Sequence, residues 1–140
     1  MEIESTAAAL QIAVGRLVRR LRQTHVPGEL TLGEASVLSR LDREGAMTPG
    51  ELASADRVKP QAMGATVQAL EQRDLVSRAP DPGDGRRVLM AITAEGRRLL
   101  TDRRSLKTQA LTEAIGRLTE DERDAIAEAA RLLDRLAEEL

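Results

Sequence analysis

The sequence predicts a mainly α-helical domain with one small β-hairpin. Three observations carry this: aliphatic residues recur at helical spacing along most of the chain, a Thr-x-x-Glu helix start appears three times, and one stretch near residues 75–92 changes to a period of two. The 140 residues suit one domain, 1–140, and 21 Ala and 20 Leu supply both helix formers and an aliphatic core.

The first helix spans residues 3–24. Ile3, Ala7, Leu10, Val14, Leu17 and Leu21 alternate spacings of four and three, which places all of them on one seam. His25-Val26-Pro27-Gly28 ends it, because proline disfavours helical geometry at the residue before it and glycine permits a turn. Thr31 with Glu34, Thr48 with Glu51 and Thr119 with Glu122 then mark three helix starts. In each, the hydroxyl can accept from the third helical N–H while the carboxylate reaches back to the cap. A helix over 32–44 turns Ala35, Leu38 and Leu41 inward and stops at Gly45, and a short one over 49–55 begins with Pro49 where the missing N–H is harmless. Lys59-Pro60 opens the next, which buries Met63, Val67 and Leu70 and ends near Arg73-Asp74.

Residues 75–79 lack helical spacing, Pro80-Asp81-Pro82-Gly83-Asp84-Gly85 is dense in turn formers, and Val88, Met90 and Ile92 alternate. This reads as a two-stranded hairpin around a loop of six to eight residues. Thr93 starts one long helix through Leu99, Leu100, Leu106, Leu111 and Ile115, and Gly116 separates it from a last helix carrying Ile126, Ala129, Leu133, Leu136 and Leu140. The expected total is six helices and one hairpin.

The composition removes whole classes of function. With no Cys, Trp, Tyr or Phe there are no disulfides, thiolates or Zn-cysteine sites, and no ring on which a single-stranded base could stack. His25 is the only histidine, so no histidine cluster exists for a metal, and its Pro-Gly setting suits no catalytic triad. Gly83 and Gly85 belong to neither a P-loop nor a dinucleotide fingerprint. The reading is therefore a non-enzyme without cofactor or metal. No run of eighteen apolar residues occurs and the Met1-Glu2-Ile3-Glu4 start is acidic, so a cytoplasmic protein without a membrane span or signal peptide is expected.

Net charge is only −2, but it is segregated. Residues 57–104 hold 10 Lys/Arg against 6 Asp/Glu, whereas residues 113–140 hold 4 Arg against 9 Asp/Glu. One region can attract phosphates while the other keeps the molecule dissolved.

Helix, tight connection, helix and hairpin is the order of a winged helix-turn-helix, which sets its second helix in the major groove and the hairpin beside it. On the helix headed by Pro60, burial of the apolar face leaves Gln61, Ala62, Ala65 and Gln68 outward. Glutamine can contact adenine through two bonds, and alanine can touch a thymine methyl. Lys59 lies at the helix N-terminus, where free N–H groups and the dipole favour phosphate.

The stretches Gly45-Ala46-Met47-Thr48-Pro49-Gly50-Glu51-Leu52-Ala53, Leu70-Glu71-Gln72-Arg73-Asp74-Leu75-Val76 and, most specifically, residues 81–96 with Asp84-Gly85-Arg86-Arg87 and Ile92-Thr93-Ala94-Glu95-Gly96 closely resemble the MarR family of bacterial transcriptional regulators. The resemblance implies a homodimer formed by residues 1–26 and 104–140 and a DNA-reading lobe at 31–103. Ile3, Ala7, Leu10, Val14, Leu17, Ile126, Leu133, Leu136 and Leu140 would then form the dimer interface. It matches Arg86 to the wing arginine that enters the minor groove and Asp84 to the acidic residue that orients it. Arg87 joins them in the wing and, with Thr48, Arg57, Arg73 and Arg78, is a weaker candidate for phosphate contacts. Where the family usually carries Ser or Thr near the cap and Arg or Lys midway along the reading helix, this chain has Lys59, Gly64 and Ala65. The resemblance also implies double-stranded DNA as partner, usually for repression, and a small anionic or phenolic ligand in a crevice between the dimer lobe and the reading lobe. The competing reading is a helical dimer that keeps the winged fold for binding another protein.

Overall fold

A computed structural model describes residues 2–140. The elements run α1 (Ile3–Gln23), α2 (Leu32–Glu44), α3 (Pro49–Ala55), α4 (Pro60–Gln72), β1 (Val76–Asp81), β2 (Asp84–Ile92), α5 (Ala94–Leu100), α6 (Leu106–Gly116) and α7 (Glu120–Glu139). The chain forms two compact units, one ending at Asp102 and one running Arg103–Leu140.

All three Thr-x-x-Glu signatures form reciprocal capping boxes, at the starts of α2, α3 and α7. At α2, Thr31 Oγ1 accepts from the Glu34 N–H at 3.0 Å and the Glu34 carboxylate accepts from the Thr31 N–H at 2.8 Å. That bond is why Glu34 tolerates burial. Gly45, at φ +84°, ends α2 in a conformation that residues bearing a Cβ rarely adopt.

The core of the first unit joins Val37, Leu38 and Leu41 of α2, Leu52 and Ala53 of α3, and Met63, Val67 and Leu70 of α4 to Leu75, Val76, Met90 and Ile92 at the base of the hairpin. Met63, Val67 and Leu70 are the three residues whose spacing predicts them inward. In the four-residue connection that follows α3, Asp56 is clamped to α2: Arg40 Nε donates to it at 2.9 Å and Ser36 Oγ at 3.4 Å. Both members of the Arg40–Asp56 pair are largely buried, so α2 fixes where α3 ends and α4 begins.

The hairpin is antiparallel, with Val76 opposite Ile92 and Pro80 opposite Val88. Its turn is tighter than the loop of six to eight residues expected from composition. Only Pro82 and Gly83 lie between the strands, and the Asp81 carboxylate accepts the Gly83 N–H at 2.8 Å, closing the turn that a longer loop would otherwise make. The register slips between Pro80 and Asp81. Met47, just before α3, bridges to Met90 through two backbone bonds of 3.0 and 2.7 Å, adding a one-residue third strand that alternation cannot reveal.

Among the described residues there are seven helices, where the sequence predicts six. The expected long helix from Thr93 breaks into α5 and α6. Thr101 turns its hydroxyl back to the Arg97 carbonyl at 3.1 Å, and Ser105 caps α6 by accepting from the Thr108 N–H at 3.2 Å. Short polar side chains that compete for backbone bonds here outweigh a leucine periodicity that continues across the break.

At the start of α5, a Cβ on Gly96 would stand 2.3 Å from the Leu75 carbonyl oxygen and 2.9 Å from Ile92 Cγ1, so only glycine lets this helix seat against the hairpin. Thr93 completes the junction, donating its hydroxyl to the Asp74 carbonyl at 2.8 Å and accepting from the Gly96 N–H at 3.0 Å. By contrast, neither α1 nor α7 contains a buried residue. Ile3, Val14 and Leu17 on one, and Ile126, Leu133 and Leu136 on the other, are exposed.

Candidate nucleic-acid interface

α4 is a helix with one face locked and one face free. Its buried residues are Met63, Val67 and Leu70, while Lys59, Gln61, Ala62, Ala65 and Gln68 are exposed. No side chain caps the α4 N-terminus. Pro60 has no N–H to satisfy, and the first intrahelical bond runs from the Met63 N–H to the Lys59 carbonyl at 3.0 Å. The Gln61 and Ala62 amides thus point out of the helix beside Lys59, an arrangement that favours an anionic oxygen.

Arg57 lies in the connection between α3 and α4, exposed and in the left-handed region at φ +53°. Its amide donates to the Ser54 carbonyl at 3.3 Å, which turns the chain between the two helices. A residue with a Cβ adopts that backbone at a cost of roughly 1 kcal/mol, and Arg57 stands three positions before Pro60, which opens α4. Thr48, half-buried, spends its oxygen as the α3 cap, accepting from the Glu51 N–H at 3.1 Å.

The other basic candidates separate into held and unheld groups. Arg78 makes a two-pronged ion pair with Glu71 of α4 at 2.6 and 3.0 Å. Arg73 donates to the Gly28 carbonyl at 2.6 Å, tying the end of α4 to the loop before α2. Arg87 donates to the Glu51 carboxylate at 2.7 Å and lies 3.7 Å from Asp81. Arg57, Lys59 and Arg86 form no ion pair with another described residue.

Asp84 does meet Arg86, but through the backbone. Its carboxylate accepts the Arg86 N–H at 3.0 Å, and no bond to the guanidinium is formed. Asp84 therefore fixes the path of the chain and leaves the Arg86 side chain exposed for an outside partner. The link between Asp84 and Arg86 that the family resemblance implies thus runs through the amide, which a short side chain two residues away readily reaches.

Charge near the α3 cap has a traceable cause. The Glu51 carboxyl is held below its usual range first by the Thr48 backbone N–H, then by the Thr48 hydroxyl and by Arg87. Sequence reading treats Glu51 as a capping residue only; its pairing with Arg87, 36 positions away, has no local signal. Among the described residues no group of His, Cys, Asp or Glu could hold a metal ion, and no helix is long and apolar enough to cross a membrane.

Comparison with known proteins agrees with this geometry. Residues 30–88 match the model of the MarR family. An HTH-type transcriptional regulator of Mycobacterium bovis is 38% identical over 133 residues, covering 95% of this chain and 93% of the relative. A crystal structure of a cysteine-to-serine mutant of MarR from Escherichia coli superposes with a TM-score of 0.73 at 25% identity, covering 97% of this chain and 96% of that one. A structure that explains regulation of the DNA binding of Bordetella bronchiseptica BpsR by 6-hydroxynicotinic acid superposes with a TM-score of 0.62 at 27% identity, covering 91% of each chain. The whole-length identity to an HTH-type regulator, the family match across helix-turn-helix and wing, and the shared winged fold lead to one conclusion: the chain belongs to the MarR family of transcriptional regulators.

Proposed function

We propose that the protein binds double-stranded DNA as a homodimer on a pseudo-palindromic operator, entering successive major grooves with α4 and flanking minor grooves with the hairpin, and thereby represses transcription from the occluded promoter. One observation carries this reading: α4 is clamped by its apolar face while its outward face and the neighbouring Arg57, Lys59 and Arg86 remain open. In it, Gln61, Gln68, Ala62 and Ala65 meet base edges, Lys59 and Arg57 meet phosphates, and Arg86 enters the minor groove. Two-fold symmetry then sets the half-sites about one helical turn apart, roughly 34 Å.

The dimer is supported by the exposed stripes of α1 and α7. Burying one Val, Leu or Ile side chain contributes about 1.5–3 kcal/mol, so stripes carrying Val14, Leu17, Ile126, Leu133 and Leu136 favour a second copy strongly. In this reading residues 1–26 and 104–140 supply the interface. A small anionic or phenolic molecule releases the operator, a class supported by BpsR, whose DNA binding is regulated by a hydroxylated aromatic acid. Such a protein acts in the cytoplasm, where the DNA is, and needs neither cofactor nor catalysis.

The test is selection of bound duplexes from a random-sequence pool, followed by gel shifts with Arg86→Ala. The parent should enrich a palindromic sequence, and the variant should bind it more weakly with an unchanged thermal melt and dimer. A parent that enriches no sequence and shows no salt-sensitive binding would favour the protein-interaction alternative.

A further inference from the structure

From the junction of wing and helix-turn-helix we infer that the Glu51–Arg87 pair positions Arg86, making Glu51 and Arg87 positioning residues for DNA recognition rather than Arg87 a phosphate contact. This rests on the DNA-binding reading given above. The argument starts from the register. Val88 pairs with Pro80 and Asp84 with Asp81, so residues 85–87 have no partner on β1. A stretch that lacks ladder pairs needs other anchors to hold one conformation. The structure provides two, on either side of the Arg86 side chain. Before it, Asp84 takes the Arg86 N–H at 3.0 Å, a bond confined to the wing. After it, Arg87 Nη2 reaches Glu51 Oε1 at 2.7 Å, a bond that leaves the wing and lands on α3.

The acceptor is itself fixed. The same Glu51 oxygen takes the Thr48 N–H at 3.0 Å, and the Thr48 hydroxyl returns the contact to the Glu51 N–H at 3.1 Å. One carboxylate oxygen therefore joins the α3 cap to the unpaired segment of the wing. Through α3 and the Arg40–Asp56 clamp it refers the wing to the same body that carries α4. Asp81, at 3.7 Å, places a second carboxylate beside the same guanidinium. Arg87 is thereby already engaged by two acids, which leaves it little charge to offer a phosphate. Holding Arg87 on α3 and the Arg86 N–H on Asp84 fixes the backbone on both sides of the exposed Arg86 side chain.

The experiment uses the full chain and a duplex selected by the parent from a random pool. Glu51→Asp keeps the charge but shortens the arm by one methylene, so it cannot serve both Thr48 and Arg87. Because each exposed ion pair is worth at most about a factor of five and a dimer engages two wings, affinity should fall by up to roughly twenty-fold. Arg87→Gln should weaken binding comparably. Both effects should largely vanish when measured in the Arg86→Ala background, because the pair acts through Arg86. Three results would overturn the proposal: Glu51→Asp binding as tightly as the parent while Arg86→Ala weakens; either substitution costing as much in the Arg86→Ala background, as for a direct contact or a general fold defect; or no DNA binding by the parent, which also removes the reading it rests on. A Glu51→Asp effect present only with Arg86 intact supports it.

Discussion

The separation of basic residues into held and unheld groups makes a quantitative claim about salt. In the proposed complex Arg57, Lys59 and Arg86 are the cations free to meet DNA, three per subunit and so six per dimer. Each neutralised phosphate contributes about −0.9 to the slope of log K against log salt, so the dimer should show roughly −5. Between 50 and 200 mM salt that slope costs about 10³-fold in affinity. Lys59→Ala or Arg57→Ala removes two contacts per dimer and should flatten the slope by about 1.8. The double substitution Glu71→Ala/Arg78→Ala deletes a pair that already neutralises itself at 2.6 Å and should leave the slope unchanged. Fluorescence anisotropy titrations on a labelled duplex at five salt concentrations measure all of these. If the double substitution flattens the slope as much as Lys59→Ala does, the intramolecular pairs do not hold in the complex and the reasoning from them fails.

Three further outcomes follow from the packing. Gly96→Ala forces a methyl against the Leu75 carbonyl, a backbone group that cannot move cheaply, and should cost about 1–3 kcal/mol, read as a fall in Tm of several degrees. Leu133→Asp places a carboxylate in the α7 stripe and should give monomers by light scattering while the circular dichroism of the DNA-binding lobe persists; a dimer of unchanged affinity would refute the interface. The Glu122 carboxyl, held below its ordinary value chiefly by the Thr119 backbone N–H, favours the folded α7 cap at pH above the unfolded-chain value and loses that contribution as pH falls through its own lowered value. Carboxyl-carbon NMR should find its midpoint below that of a glutamate in an unfolded peptide, and Thr119→Ala should return it toward that value.

What the sequence makes legible here is local, and what it hides is long-range. Capping boxes need only a hydroxyl and a carboxylate three residues apart, so Thr31, Thr48 and Thr119 announce their helices without help. The buried face of α4 follows from the spacing of Met63, Val67 and Leu70 for the same reason. The break at 101–105 escapes because no Gly or Pro marks it and leucines continue at helical intervals on both sides. The Met47–Met90 bridge, the seat of Gly96 under Leu75 and the Glu51–Arg87 pair join positions 21 to 43 apart in the chain, or depend on them, and no periodicity encodes such meetings. The last is the one that matters for the site, since it ties to α3 an arginine that the sequence reading offers only as a wing and phosphate candidate.

That change bears on where specificity resides. On the outward face of α4, whose N-terminal part is what reaches base edges, Gln61, Ala62, Ala65 and Gln68 precede an exposed Gln72, with no arginine or lysine between Lys59 and Arg73. One bidentate contact discriminates by about 1–3 kcal/mol, so two glutamines per subunit can read two adenines and little else. A regulator must then draw the remainder from shape, and the group suited to that is an exposed arginine able to sense a narrow, A/T-rich minor groove. Free rotation of the wing would blur such a reading, because an arginine that can follow any groove width distinguishes none. A wing pinned at Glu51 is what makes groove width costly to mismatch. The selected duplexes should therefore show their strongest constraint as A/T runs at the flanks, beyond the bases that α4 reaches, and Arg87→Gln should relax those flanking positions while leaving the adenines opposite Gln61 and Gln68 as constrained as before.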